Sequence, residues 1–178
     1  VALLSSEDAV DAARIAGELN GLNTERRGLE QEILTEAQRS LADFTPDVPA
    51  IVVASEDWNA GVIGIVASRL VETYYRPSIV LTRQENVYKG SCRSIAGLHM
   101  YDALSACRET LIQFGGHAMA AGLSVLPERL EDFRAAFSAY VREHLHPSDF
   151  IPKTRIEALV PPTDWTIPLV EELALLEP

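Results

Sequence analysis

The chain has 178 residues, 47% of them hydrophobic and 23% charged, with a formal net charge of −11. Length and composition fit one soluble globular domain, or one and a half, with a sizeable core. They exclude a bilayer span, since the longest apolar stretch, GVIGIVASRL, is far too short, and a disulfide framework, since there are only two cysteines.

The acidity lies in the flanks. Residues 1–49 carry ten acids against four bases and residues 126–178 ten against five, whereas residues 50–125 hold six of each. A neutral middle with a few placed arginines suits one phosphate group. Gripping a long duplex by charge needs many phosphate contacts. No basic stretch precedes an apolar run at the start, so no secretory signal is expected and a reducing cytoplasmic setting is the default. The chain opens on Val1 and reads as a piece of a longer protein.

Residues 1–45 form a first unit. SSEDAVDAARIAGELNGLNTERRGLEQEILTEAQRSL predicts a long helix, in which Ser5 and Asp8 have capping-box spacing and acids crowd the first turn. Ala9, Ala13, Ala16, Leu19, Ile33, Ala37 and Leu41 recur near helical spacing, with charged residues opposite. Gly17, Gly21 and Gly28 weaken the helix and mark candidate bends. The apolar stripe needs a partner that this segment does not itself supply.

After the proline-punctuated linker FTPDVP (44–49) the pattern changes. AIVVAS predicts a buried strand, and NAGVIGIVASRLVETY a helix that opens with Gly61. RPSIVLTR is a second strand, and QEN a hairpin turn into the strand VYKGSCRS. MYDALSACRETLIQF predicts a helix running straight into the glycines of FGGHAMAAG (114–122). AAGLSVL is a strand, and PERLEDFRAAFSAYVREHL a helix with Pro127 near its first turn. This alternation over 46–147 predicts an α/β domain, a mixed sheet with flanking helices. Over 148–178, TRIEALVP predicts a strand and TDWTIPLVEELALLEP a short helix, together the start of a following module or a strap over the first.

Three clusters could carry chemistry. In KGSCRS (89–94), Gly90 frees the backbone, Ser91 and Ser94 supply hydroxyls, and Arg93 supplies a planar fork suited to phosphate oxygens. In a strand Ser91 and Arg93 fall on one face, so both can address one anion; an exposed strand with an ordinary surface arginine is the alternative. In FGGHAMAAG, Gly115 and Gly116 put His117 on a tight turn, either presented to a ligand held against the backbone or in a packing turn. In SEDWNAGVIG (55–64) a helix start with glycine at its mouth favours anions, and Trp58 either stacks on a base or packs in the core. No His, Cys, Asp or Glu cluster has metal-ligand spacing, and no P-loop or GxSxG motif is present.

Taken in order, W-x-x-G-V-I-G-I-V-A-S-R-L, R-P, K-G-S-x-R-S and F-G-G-H-x-x-A-A-G resemble the DHH-associated domain of the RecJ exonuclease family, in the DHH phosphoesterase superfamily. The N-terminal helix resembles that family's connector helix. The resemblance implies part of a single-stranded-DNA-specific 5′→3′ exonuclease of DNA repair and recombination, in which Ser91 and Arg93, with Gly90 and Ser94, bind the 5′-terminal phosphate or the adjacent backbone. It places His117, with Gly115 and Gly116, over the scissile phosphate as the catalytic contact. Relatives carry histidine after the tryptophan; this chain has Asn59, whose amide can still bind phosphate or sugar and which is given no catalytic role. Arg69 and Arg76 match family positions too, Arg69 with a structural salt bridge as the competing role.

In that family Mn²⁺ or Mg²⁺ is bound by the DHH domain, which this chain lacks, so no metal is expected among its own residues and no hydrolysis from it alone. The expected partners are the 5′-phosphate end of single-stranded DNA and the DHH domain of the same chain, with no membrane. An uncovered stripe over 9–41 would make the piece dimerise, the mark of a purely structural arm. Two other readings stay open: a DHH-family phosphodiesterase acting on short oligonucleotides or dinucleotides, and a non-catalytic single-strand-binding module. Against the second stands an aromatic content of 7%, since stacking platforms use several rings.

Overall fold

The chain begins with a long helix, α1 (Ala9–Ser40), in a computed structural model that describes residues 2–154, 156 and 159–176. The cap is Asp8, whose carboxylate accepts the backbone N–H groups of Val10 and Asp11 at 2.7 and 3.3 Å. Ser5, expected to open the helix, instead closes a preceding 3-10 turn. Asp8 takes its place because its oxygen reaches two of the donors that a helix start leaves free. Gly17, Gly21 and Gly28 do not interrupt α1. Arg14 pairs with Asp11 and Glu18, and Arg26 with Glu30, at helical spacings that support this stretch. Of the predicted stripe only Ile33 and Ala37 are buried, and Leu19 is 49% exposed.

Five strands build the sheet: β1 (Ile51–Ser55), β2 (Ser78–Gln84), β3 (Val87–Arg93), β4 (Gln113–Gly116) and β5 (Ala120–Val125). Their spatial order is β1-β2-β3-β5-β4, with β1 parallel to β2 and the other neighbours antiparallel. The parallel pair needs a crossover, supplied by α2 (Ile63–Tyr74). This is the mixed sheet expected from the sequence.

Alternation along the strands splits the core into two layers. Ile51, Val53 and Val80 meet Val66, Ala67 and Leu70 of α2 and Ile33 and Ala37 of α1. On the other face Ile79, Leu81, Cys92, Leu123 and Val125 meet α3 (Met100–Ala106) and α4 (Leu130–His144) through Met100, Leu104, Phe133, Phe137 and Val141. Burial pushes the thiol of Cys92 up to about 12 and that of Cys107 to about 11. Both stay protonated and unreactive at neutral pH.

One element departs from expectation. The helix predicted through Phe114 stops at Ala106; a 3-10 turn follows at Arg108–Thr110, and Gln113–Gly116 becomes the edge strand β4. Two adjacent glycines are poor helix formers, and β5 offers a row of unpaired backbone groups that β4 satisfies. Phe114 then packs on Tyr101 of α3, ring centroids 5.6 Å apart, which fixes the edge to the layer below.

Arg76 ties the unit's entry to its exit. It is 6% exposed. Its Nε donates to Val48 O at 2.8 Å, Nη2 to Pro46 O at 2.7 Å, and Nη1 to Tyr75 O at 3.0 Å and Phe150 O at 3.4 Å. The guanidinium also lies 4.3 Å from the centroid of the Phe150 ring. Burial lowers its pKa from the ordinary arginine value. Arg76→Met strips the carbonyls of these donors and is expected to cost about 3 kcal/mol, a fall in Tm of about 8 °C in a thermal melt.

The strand predicted over 154–161 includes residues 155, 157 and 158, which lie outside the described residues; no strand is found among its described neighbours. The short helix is present as α5 (Ile167–Ala174), capped by Thr166, with none of its residues buried. Among the described residues, no helix is long and apolar enough to cross a membrane.

Candidate phosphate-binding site

α2 covers only part of its face of the sheet. It lies across β2 and β3, and beyond it Gly122 of β5 and Gln113 and Gly115 of β4 are exposed. The rows crossing this face are Ser78–Arg93–Ala120 and Val80–Ser91–Gly122–Gly115. Val80 is under α2, Ser91 at its margin, and Gly122 and Gly115 are exposed.

Ser91 and Arg93 share this face, as strand alternation requires. Arg93 donates Nε to Ser68 Oγ at 3.2 Å and Nη1 to Cys92 O at 2.9 Å, which fixes the guanidinium. Its Nη2 and the Ser91 hydroxyl both point at Gly64: a Cβ there would stand 3.2 Å from each. Gly64 lies in the first turn of α2, a turn with no acidic residue. Helix starts leave N–H groups free and favour anions, so a fixed guanidinium, a hydroxyl and a helix N-terminus converge on one small region.

His117 closes the far side. Its N–H donates to Ala120 O at 2.8 Å, extending the row of Arg93 across β5. Two strand spacings separate Arg93 from His117, about 10 Å. The ring is exposed, and its Nδ1 accepts the Met119 N–H at 3.4 Å. In neutral imidazole that acceptor role puts the proton on Nε2, which is then the ring's donor. Gly116 sets the turn with φ +151, where a Cβ would come within 2.4 Å of Ala120 O and Ala121 Cα. At Gly115 a Cβ would meet nothing within 4 Å.

Other predicted residues sit elsewhere or do other work. Ser94 is buried and donates its hydroxyl to Leu98 O at 2.8 Å, holding the turn after β3. Gly90 leaves room for Leu81 on the opposite face, where a Cβ would stand 3.1 Å from that side chain. Asn59 accepts the Gly61 N–H at 2.8 Å and faces α1 beside Trp58. Trp58 is buried, with Nε1 donating to Glu36 at 2.7 Å, so it locks α1 to the sheet. Arg69 bridges Glu30 and Glu72, a structural pair. Gly64 and Gly122 were not singled out in the sequence. Their signals were the second glycine of GVIG and the last of FGGHAMAAG, and only strand pairing reveals what they face. Among the described residues no group of three or more His, Cys, Asp or Glu could hold a metal ion.

The DHHA1 domain model matches residues 47–143. The single-stranded-DNA-specific exonuclease RecJ of Bacillus subtilis is 39% identical over 180 residues, covering 100% of this chain and 23% of its own length. RecJ of Thermus thermophilus is 33% identical over 176 residues, 99% of this chain and 25% of its own. The crystal structure of Thermus thermophilus RecJ with Mg²⁺ superposes with a TM-score of 0.83 at 33% identity, covering 99% of this chain and 27% of that one. That of an exonuclease RecJ bound to manganese gives 0.70 at 33% identity, covering 83% and 36%. The chain thus spans about a quarter of the length of the curated relatives it matches.

Proposed function

Since the chain belongs to the DHHA1 domain family, we propose that it is the substrate-holding part of a RecJ-like 5′→3′ single-stranded-DNA exonuclease. Ser91 and Arg93 hold the 5′-terminal phosphate, and His117 donates from Nε2 to the phosphate being cleaved. The observation that carries this is the convergence of Ser91 and Arg93 on the glycine-opened first turn of α2, with the His117 turn on the same sheet face. The span of about 10 Å between their backbone positions leaves room for a stretch of strand between the two side chains. Stabilising charge as it develops requires donors already fixed in place, which the Gly116 turn provides for His117. Manganese and magnesium, which the RecJ crystal structures hold, find no ligand set among the described residues here. On this reading the ion sits on another part of a complete cytoplasmic enzyme, and this chain binds DNA without cleaving it.

The test is an NMR titration of the chain with short single-stranded DNA, 5′-phosphorylated against 5′-hydroxyl, at low salt. Ser91, Arg93, Gly116 and His117 are expected to shift together, and more with the phosphorylated strand. Arg93→Ala should weaken the phosphorylated strand about tenfold or more, erasing the preference. Equal shifts from the two strands would overturn the reading.

A further inference from the structure

β1 is an outer strand of the sheet and pairs with β2 alone. Its Ile51 N–H donates to Pro77 O at 2.9 Å, and along a parallel ladder every second residue bonds to the neighbour. Ile51, Val53 and Ser55 therefore face β2, and Val52 and Ala54 turn their N–H and C=O groups outward. Among the described residues no hydrogen bond reaches those outward groups. Strand edges are blunted by lysine, proline, a bulge or a covering element, yet IVVAS carries no charged residue, proline or glycine. The edge instead floors a cleft of about 240 Å³, walled by Ser40 and Leu41 at the end of α1 and by Arg134 of α4. Arg134 Nη1 donates to Glu131 at 2.7 Å, while its Nε is buried without a hydrogen-bond partner.

We propose that the β1 edge takes an added strand: an extended segment of a partner protein in which a carboxylate residue stands between apolar ones. The main chain of such a segment bonds to Val52 and Ala54, as in strand addition to an open sheet edge. Its side chains then continue the two faces of the sheet. Val53 shares its face with Leu41, so the side chains added on that side meet an apolar wall. Val52 and Ala54 face the layer that holds α4, so the side chains added on the other side meet Arg134. A buried guanidinium N–H without an acceptor is costly, and a carboxylate satisfies it through a fork of two charge-assisted bonds. The end of α1, with its free carbonyls, repels a carboxylate and so leaves the Arg134 side as the acid's place.

An NMR titration of the chain with the blocked peptide acetyl-Thr-Val-Glu-Val-Thr-amide tests this, with the same peptide carrying lysine for glutamate as its control. The amides of Val52 and Ala54 are expected to shift and to gain protection from exchange, and the lysine peptide to bind about tenfold more weakly. Ala54→Pro removes one outward N–H, leaves the bonds to β2 in place and should abolish binding. Arg134→Gln, at a partly exposed position, should make the two peptides bind alike, and it carries the test if the proline variant does not fold. Unmoved Val52 and Ala54 amides at millimolar peptide, or equal binding of the two peptides by the unaltered chain, overturn the proposal. So does a chain that sediments as a dimer with both amides already protected, because the edge then belongs to a second copy.

Discussion

Gly116→Ala is expected to destabilise the chain by at least about 3 kcal/mol, whereas Gly115→Ala, one residue earlier, should stay within about 0.5 kcal/mol. The contrast follows from what each new Cβ meets. At Gly116 it collides at 2.4 Å with Ala120 O and Ala121 Cα, both main chain, so β4 must part from β5. At Gly115 it enters open space. Urea or thermal denaturation gives the two values, and amide exchange at His117, whose N–H is bonded to Ala120 O, reports whether the hairpin has opened. Gly115→Ala should instead weaken DNA, because the space it fills is where the substrate lies in the proposed function. Equal stability for the two variants would mean that the hairpin does not depend on the Gly116 turn.

His117→Ala, made in the complete enzyme, should lower kcat about 100- to 1,000-fold, the loss typical of one donor aimed at developing charge. The preference for a 5′-phosphorylated strand over a 5′-hydroxyl one should survive, because Ser91 and Arg93 are untouched. Arg93→Ala should do the reverse, losing the preference and raising KM more than it lowers kcat. A fall in kcat of less than about fivefold in the histidine variant would remove His117 from the chemistry.

Much of this architecture was legible in the sequence. Hydrophobic runs and turn residues marked β1, β2, β3 and β5, and the small-residue helix after β1 fell into place as the crossover. Strand alternation alone put Ser91 and Arg93 on one face. What was hidden depends on long-range pairing. β4 looked like the end of a helix, because Leu111–Ile112–Gln113–Phe114 continues an apolar pattern and nothing local says that β5 waits with a free edge. Ser94 looked like Ser91's equal, yet the end of β3 turns it inward to Leu98 O. Gly64 is near in space to Ser91 and Arg93 but 27 and 29 positions away in the chain, so no local motif could join them. For Asn59 the sequence offered a donor to substrate, and the fold uses its oxygen to hold Gly61.

Arg76 has a further consequence. The carbonyls of Pro46 and Val48, where the chain enters the α/β unit, and of Phe150, where it leaves, lie within the span of one guanidinium. The stretch from Pro46 to Phe150 is therefore a loop of chain gathered at its two ends, with α1 packed on it through Ile33, Ala37 and the Trp58–Glu36 bond. Its two ends can be joined by a few residues and new ends opened elsewhere without unpicking the sheet.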